Sequence, residues 1–319
     1  MIENLQIQNF KSIRNLGLKC SRINVFIGEP NTGKSNILEA LGMLSFLGHG
    51  GNIKDFIRFE TMPDIFYNKS LEDPIQISFD QELFTLKFKD GKFHGVLQQK
   101  EAILGSDYYG NVTLKLQPKL KAFKFYRFKI LKEFVDKPTE TFIPPFGSNL
   151  LALILTNKIV KSTISDLFSG FGWKLVVKPY EKKIEFQREI DNIVVSLPYH
   201  SLSDTLQRII FHLTAILSNK NSVIAFEEPE AHAFPYYTRF LAEQIALDDR
   251  GNQYFISTHN PYFLQSIVEK SKMDASIFIT YLEEGETKVK QFTSKKLEKL
   301  LEYDVDVFFN LESLIEGSQ

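Results

Sequence analysis

The sequence predicts an α/β fold built on a mainly parallel core sheet, with an antiparallel β-sheet inserted after the first helix. Three observations carry that prediction. Runs at 23–27, 222–226 and 253–257 are mostly apolar or β-forming, as strands buried on both faces are, and the first and third lead into helix patterns. Between 74 and 128 the runs are short and alternate apolar with polar residues, as in an antiparallel sheet with one wet face. The first run also feeds a glycine-spaced loop that opens a helix, the strand–loop–helix order of a phosphate-binding unit.

That loop is Gly28-Glu29-Pro30-Asn31-Thr32-Gly33-Lys34-Ser35-Asn36. Gly28 and Gly33 let the backbone curl so that successive N–H groups turn into one anion-sized hollow. Lys34 brings a mobile positive charge to the β- and γ-phosphates of a nucleotide, and the Ser35 hydroxyl suits Mg²⁺. The helix starting there aims its positive end at the same phosphates. Its apolar residues Ile37, Leu41, Leu44 and Leu47 recur every three or four positions, so one face meets a sheet. The pattern is that of a P-loop nucleotide-binding fold, and it implies a nucleoside triphosphate as ligand.

A chain of 319 residues can bury a large core. Its formal charge of −1 excludes a polycation, so any nucleic-acid contact must come from a local patch. The single cysteine, Cys20, excludes an internal disulfide and argues for a reducing compartment. No stretch approaches the ~20 apolar residues that span a bilayer. The start, Met1-Ile2-Glu3-Asn4, lacks the basic flank and apolar run of a signal peptide. A cytoplasmic protein without membrane contact is expected.

In chain order, 5–8 and 16–19 alternate as two half-buried strands, with Asn9-Phe10-Lys11-Ser12 as their turn. Gly48 to Asn52 breaks the first helix, and His49 reads as a loop residue because no second ligand type lies at metal spacing. Runs 75–79, 84–88 and 112–116 give the antiparallel insert, with Asp90-Gly91 as a hairpin turn. From 115 to 132, Lys115, Lys119, Lys121, Lys124, Arg127, Lys129 and Lys132 interleave with Phe123, Phe125, Tyr126 and Phe128, and no acid intervenes. Two readings stand: a strip that holds DNA or RNA phosphates and stacks bases, or a strand with one face in the core. Pro138, Pro144 and Pro145 mark a joint. A helix pattern over 149–168 and strands at 173–177, 183–186 and 193–197 follow.

The second half returns to phosphate chemistry. The run at 222–226 ends in Glu227-Glu228-Pro229-Glu230. Two acids at the tip of a buried strand, in a chain with a P-loop, suit Walker B: Glu227 holds Mg²⁺ through its water shell and Glu228 takes a proton from the attacking water. The run at 253–257 ends in Thr258-His259-Asn260-Pro261, which sets His259 where a strand tip can reach a γ-phosphate. Upstream, Ser203 or Asp204 caps a helix whose buried stripe is Leu206, Ile209, Ile210, Leu213, Ile216 and Leu217.

The order Asn9-Phe10-Lys11-Ser12, then the glycine loop through Asn36, then the Leu202-Ser203 helix start, then Glu227-Glu228-Pro229-Glu230-Ala231-His232, then Ser257 to Pro261, resembles one group. These are the ABC-type ATPase heads of the SMC, RecF and OLD proteins, with the OLD-like branch the best fit. The motifs cover roughly 1–47 and 200–270, and their joint order is specific. The resemblance implies a head that dimerises around two ATP molecules, with Ser203 reaching the γ-phosphate held by the other subunit and Lys11 near the phosphates. Three features depart from the pattern. Asp204-Thr205 follows the serine where the family has glycine, Phe234 stands where SMC heads carry an aspartate, and neither a coiled coil nor the nuclease domain of OLD proteins is expected. Leu314-Ile315-Glu316-Gly317 is faintly similar to the opening of such a domain. The Mg²⁺-sensing glutamine stays open among Gln76, Gln81, Gln98 and Gln99.

The expected organisation is an ATPase core at 1–48 and 200–292, an antiparallel subdomain at 49–137, a helical and β lobe at 138–199 and a helical tail at 293–319. The expected activity is Mg²⁺-dependent, slow ATP hydrolysis with ATP-driven homodimerisation, in repair or defence, beside a separately encoded nuclease or effector. The alternative is a nucleotide-gated switch that holds a protein partner.

Overall fold

The computed structural model describes residues 1–98, 102–137, 139–271, 274–293, 308 and 310–316. Strands β1 (Asn4–Phe10) and β2 (Ile13–Lys19) precede β3 (Ile23–Gly28), and helix α1 (Lys34–His49) leaves the loop after β3. A short helix α2 (Ile53–Phe56) leads to β4 (Ile75–Phe79), β5 (Glu82–Lys89), β6 (Lys92–Leu97), β7 (Ala102–Ser106) and β8 (Val112–Leu114). Then come β9 (Phe123–Tyr126), α3 (Leu150–Thr156), α4 (Lys158–Ser169), β10 (Lys174–Lys178), β11 (Lys183–Ile190) and β12 (Ile193–Pro198). The last third holds α5 (Asp204–Ser218), β13 (Val223–Glu227), α6 (Pro235–Ala246), β14 (Gln253–Ser257), α7 (Pro261–Lys270), β15 (Ala275–Glu283) and β16 (Glu286–Thr293).

The core sheet runs β16-β15-β3-β14-β13-β9, and every neighbouring pair is parallel except β15 with β16. Its strands alternate between two cores, because successive side chains point to opposite faces. Val25, Ile27, Ile224, Phe226 and Ile256 pack under α3–α7, while Phe26, Ala225 and Phe255 pack toward α1. Ile37, Leu41, Leu44 and Leu47 fall on the core as expected. Helix α1 is buried almost all round, since the antiparallel sheet β2-β1-β4-β5-β6-β7-β8 covers its far side. Strands β10-β11-β12 form a third, small sheet.

Two placements differ from the sequence expectation. Strands β1 and β2 do not join the core sheet; β1 pairs with β4, Leu5 opposite Phe79 and Ile7 opposite Ile77, so the antiparallel sheet begins at the chain's first strand. Strand β9, assigned to the insert, is the edge of the core sheet and lies parallel to β13, with all four of its residues buried. Of the expected helical tail, 294–307, 309 and 317–319 lie outside the described residues, as do Pro138 and Gln99; Leu311–Glu316 is helical.

Candidate nucleotide site

Three parallel strands end side by side. Phe26 pairs with Ser257 and Ser257 with Glu227, so the tips of β3, β14 and β13 bring the glycine loop, His259 and the Glu227-Glu228 pair to one edge. They border a cleft of about 680 Å³ lined by Lys34, Ser35, Asn36, Glu227, Glu228 and His259, together with Arg58, Arg127 and Arg208. That volume suits a nucleotide, and the crevice outside the carboxyl ends of parallel strands is where α/β sheets bind ligands.

The loop is held in shape from behind. Asn31 and Gly33 take left-handed conformations, φ +63° and +97°, which turn backbone N–H groups inward. A Cβ on Gly33 would come 2.0 Å from Thr287 Oγ1, and one on Gly28 would come 2.3 Å from the Thr280 carbonyl. Both glycines are therefore needed for close approach as well as for curvature. The Thr32 hydroxyl lies 2.7 Å from that of Thr280, and Thr287 donates to the Thr32 carbonyl at 3.1 Å. Asn36 donates to Ser12 Oγ at 2.7 Å, which is in turn 2.7 Å from Thr287. Lys34 Nζ donates to the carbonyls of Gly28 (2.9 Å) and Glu29 (2.7 Å) of its own loop. Burial lowers its pKa to about 8 against the pull of Glu228 and Glu29.

The acids sit in different surroundings. Glu227 accepts from Arg58 Nη2 at 2.9 Å and lies 3.9 Å from Arg127 Nε. Arg58 and Arg127 also reach Glu39 of α1, at 2.6 and 3.3 Å, and Lys11 pairs with the same carboxylate, whose side chain is fully buried. Glu228 has φ +44° and donates its N–H to the Ser257 carbonyl at 3.0 Å. That turn presents its carboxylate to the cleft, 3.4 Å from His259 Nε2. Burial and the charge of Lys34 lower the His259 pKa, with Glu228 opposing. A neutral imidazole beside a carboxylate can accept or relay a proton. Ser35 and Glu227 supply the hard oxygen donors that Mg²⁺ takes alongside phosphate and water, and no group of three acids, histidines or cysteines is placed to hold a metal among the described residues.

Several expected residues lie elsewhere. Lys11 is not at the cleft: it donates to Glu39 and, at 2.8 Å, to the Arg58 carbonyl, so its charge is committed to the buried carboxylate. Ser203 caps α5, accepting from Leu206 N at 3.4 Å, and is exposed outside its own chain's cleft. Gln76, Gln81 and Gln98 belong to the antiparallel sheet and its turns, and no described glutamine lines the cleft. The basic strip is not one face. Lys119 and Lys121 sit on a 3₁₀ turn (Pro118–Ala122), Arg127 turns into the cleft, and Lys124 is buried, donating to Thr141 Oγ1 at 3.1 Å with its pKa lowered by burial to about 8. Arg58 and Arg208 carry no motif signal; Arg208 reaches the cleft from α5, 2.7 Å from Asp204 and stacked 4.5 Å over Phe128.

Residues 118–265 match the family described as AAA domain, putative AbiEii toxin, Type IV TA system, and residues 1–135 match the AAA ATPase domain. The Septu protein PtuA of Bacillus mycoides is 25% identical over 288 residues, covering 84% of this chain and 39% of PtuA. The OLD nuclease of Thermus scotoductus is 23% identical over 357 residues, covering 89% of this chain and 65% of the nuclease. The chain thus spans less than two thirds of either relative. The Smc head domain of Pyrococcus furiosus, solved with an extended coiled coil and bound to the C-terminal domain of ScpA, superposes with a TM-score of 0.59 over 96% of this chain and 99% of that one, at 15% identity. The likeness is one of fold.

Proposed function

We propose that this chain, an ATPase head of the SMC, RecF and OLD type, binds ATP with Mg²⁺, hydrolyses it slowly, dimerises on it and acts on nucleic acid in repair or defence. The observation that carries the reading is the meeting of the glycine loop, Glu227-Glu228 and His259 at three adjacent strand tips. The loop N–H groups and Lys34 bind and neutralise the phosphates. Ser35 and Glu227 hold Mg²⁺, which when bound neutralises charge on the phosphate oxygens. Glu228 takes the proton of the attacking water, and His259 meets the γ-phosphate. Ser203, exposed at the start of α5, is free to face the nucleotide of a second subunit. The likeness to the OLD nuclease supports a nuclease as partner.

A second reading is favoured by one observation. Burial of Lys124 and diversion of Arg127 remove two cations from the proposed nucleic-acid strip, which fits a nucleotide-gated switch for a protein partner. ATP turnover with and without Mg²⁺, light scattering with ATP, and pull-down with and without nuclease treatment test these readings. A partner released by nuclease supports the first; one retained after it supports the second. A chain that neither binds nor hydrolyses ATP sinks both.

A further inference from the structure

Glu230 is the carboxylate next to the site that the proposed chemistry leaves unused. It is 5% exposed, and its Oε2 has no hydrogen-bond partner. Its Oε1 accepts from the Thr258 hydroxyl, which itself accepts the Asn260 N–H at 3.0 Å. Asn260 caps α7 by accepting from Phe263 N at 3.1 Å. His259 therefore sits between two residues whose polar groups are tied to Glu230, while Glu228, two residues before Glu230, faces His259 across 3.4 Å. The Glu228 N–H also crosses between the two turns, to the Ser257 carbonyl at 3.0 Å.

We infer that Glu230 is a positioning residue for hydrolysis: through the Thr258 hydroxyl it holds the His259 turn against Glu228. A buried carboxyl with one oxygen unpartnered is costly when charged, and its neutral form is the one such a site tolerates. Burial pushes the Glu230 pKa up to about 7; the Thr258 hydroxyl and the Glu230 and His259 amides oppose this, and the Glu228 charge adds to it. The titratable groups that face it are Glu228 on its own turn and His259 on the turn after β14, with Lys34 reaching His259 from the glycine loop. Glu230 is thus neutral below about pH 7 and gains a second negative charge beside Glu228 above it.

Only the kinetic arm of the test rests on the hydrolytic reading above. The first arm follows the His259 imidazole by NMR across pH in the wild type, Thr258→Val and Glu230→Gln, without nucleotide. The wild-type ring should titrate below the ordinary range, since burial and Lys34 disfavour its charged form. Thr258→Val keeps the shape and deletes the tie, so His259 should move toward its ordinary value; Glu230→Gln keeps an uncharged acceptor and should leave it in place. An unmoved His259 in Thr258→Val overturns the proposal. The second arm measures kcat and ATP affinity against pH. Thr258→Val should lose roughly tenfold or more in kcat with affinity held, as misplaced catalytic groups do. Wild-type kcat should decline as pH rises through about 7, and Glu230→Gln should abolish that decline; a decline that persists in Glu230→Gln also overturns it. A wild type that never turns over ATP sinks the hydrolytic reading alone, and the imidazole titration still decides this one.

Discussion

Arg58 Nη2 donates to Glu227 Oε1 at 2.9 Å, while the same guanidinium holds Glu39 through Nε at 2.6 Å. One side chain thus joins the acid at the tip of β13 to a carboxylate buried in α1. Lys11 and Arg127 complete the cluster on Glu39, so the N-terminal loop, α1 and the cleft share one charge network. On the proposed function, the carboxylate that would hold hydrated Mg²⁺ is already paired with a cation, and metal binding would have to loosen that pair.

Glu39 is the hub, which sets the order of damage. Glu39→Ala leaves Lys11 and Arg127, with side chains 14% and 21% exposed, without their carboxylate. Breaking a buried pair from one side costs about 3–5 kcal/mol. Arg58→Ala should cost about 1 kcal/mol or less, because Arg58 is 55% exposed and Glu39 keeps two partners. Denaturant unfolding of the two variants checks the ranking, and an equal or reversed loss would unseat Glu39 as the hub.

Lys34→Ala should abolish ATP binding, since no other side chain in the loop brings positive charge to the phosphates. In the wild type, affinity should fall as pH rises through about 8, where the free Lys34 loses the proton that bound phosphates would retain. The sign follows from linkage: ligand that prefers the charged amine binds best where the amine is already charged. Titration with a fluorescent ATP analogue at pH 7 and pH 9 reads both effects, and undiminished affinity in Lys34→Ala would remove the loop from nucleotide binding.

Glu228→Gln keeps shape and removes the base, so ATP should bind while turnover falls by ~10²-fold or more. If ATP drives association, this variant should collect as the dimer in light scattering. Glu227→Gln should weaken the Mg²⁺ requirement's steepness and the Arg58 contact together. Unchanged turnover in Glu228→Gln, with loss in Glu227→Gln, would transfer the base to the neighbour.

What the sequence revealed about this site was local. The glycine loop, the strand-tip acids and His259 each announce themselves within ten residues, because each is one contiguous motif at the end of a strand. The fold class was legible for a related reason: buried parallel strands read as near-continuous apolar runs. Strand β9 was not, since Lys124 interrupts Phe123-Lys124-Phe125-Tyr126 and imitates a half-wet strand, although its ammonium is buried against Thr141. The pairing of β1 with β4 joins residues some 70 positions apart, and alternation cannot name a partner. Arg58, Thr280 and Thr287 acquire their roles only when distant elements close on the loop.

The basic strip gives the last prediction, now confined to its exposed part. Lys119 has a side chain 80% exposed, with Glu82 at 3.8 Å as a weak surface partner, and Lys121 is exposed on the same 3₁₀ turn. Lys119→Glu with Lys121→Glu therefore leaves the core intact, whereas Lys124 substitutions would test packing instead. If the turn holds phosphates, log affinity for DNA or RNA falls linearly with log salt, and each contact removed flattens the slope by about 0.7 to 0.9. The double variant should then bind at least ~10-fold more weakly, since two charge reversals remove two contacts and add repulsion. ATP hydrolysis without nucleic acid should stay unchanged, because neither lysine lines the cleft. Fluorescence anisotropy on single- and double-stranded oligonucleotides, with and without ATP, decides it. Silence of the wild type at low salt in all four conditions would turn the reading from nucleic acid to the protein-partner switch.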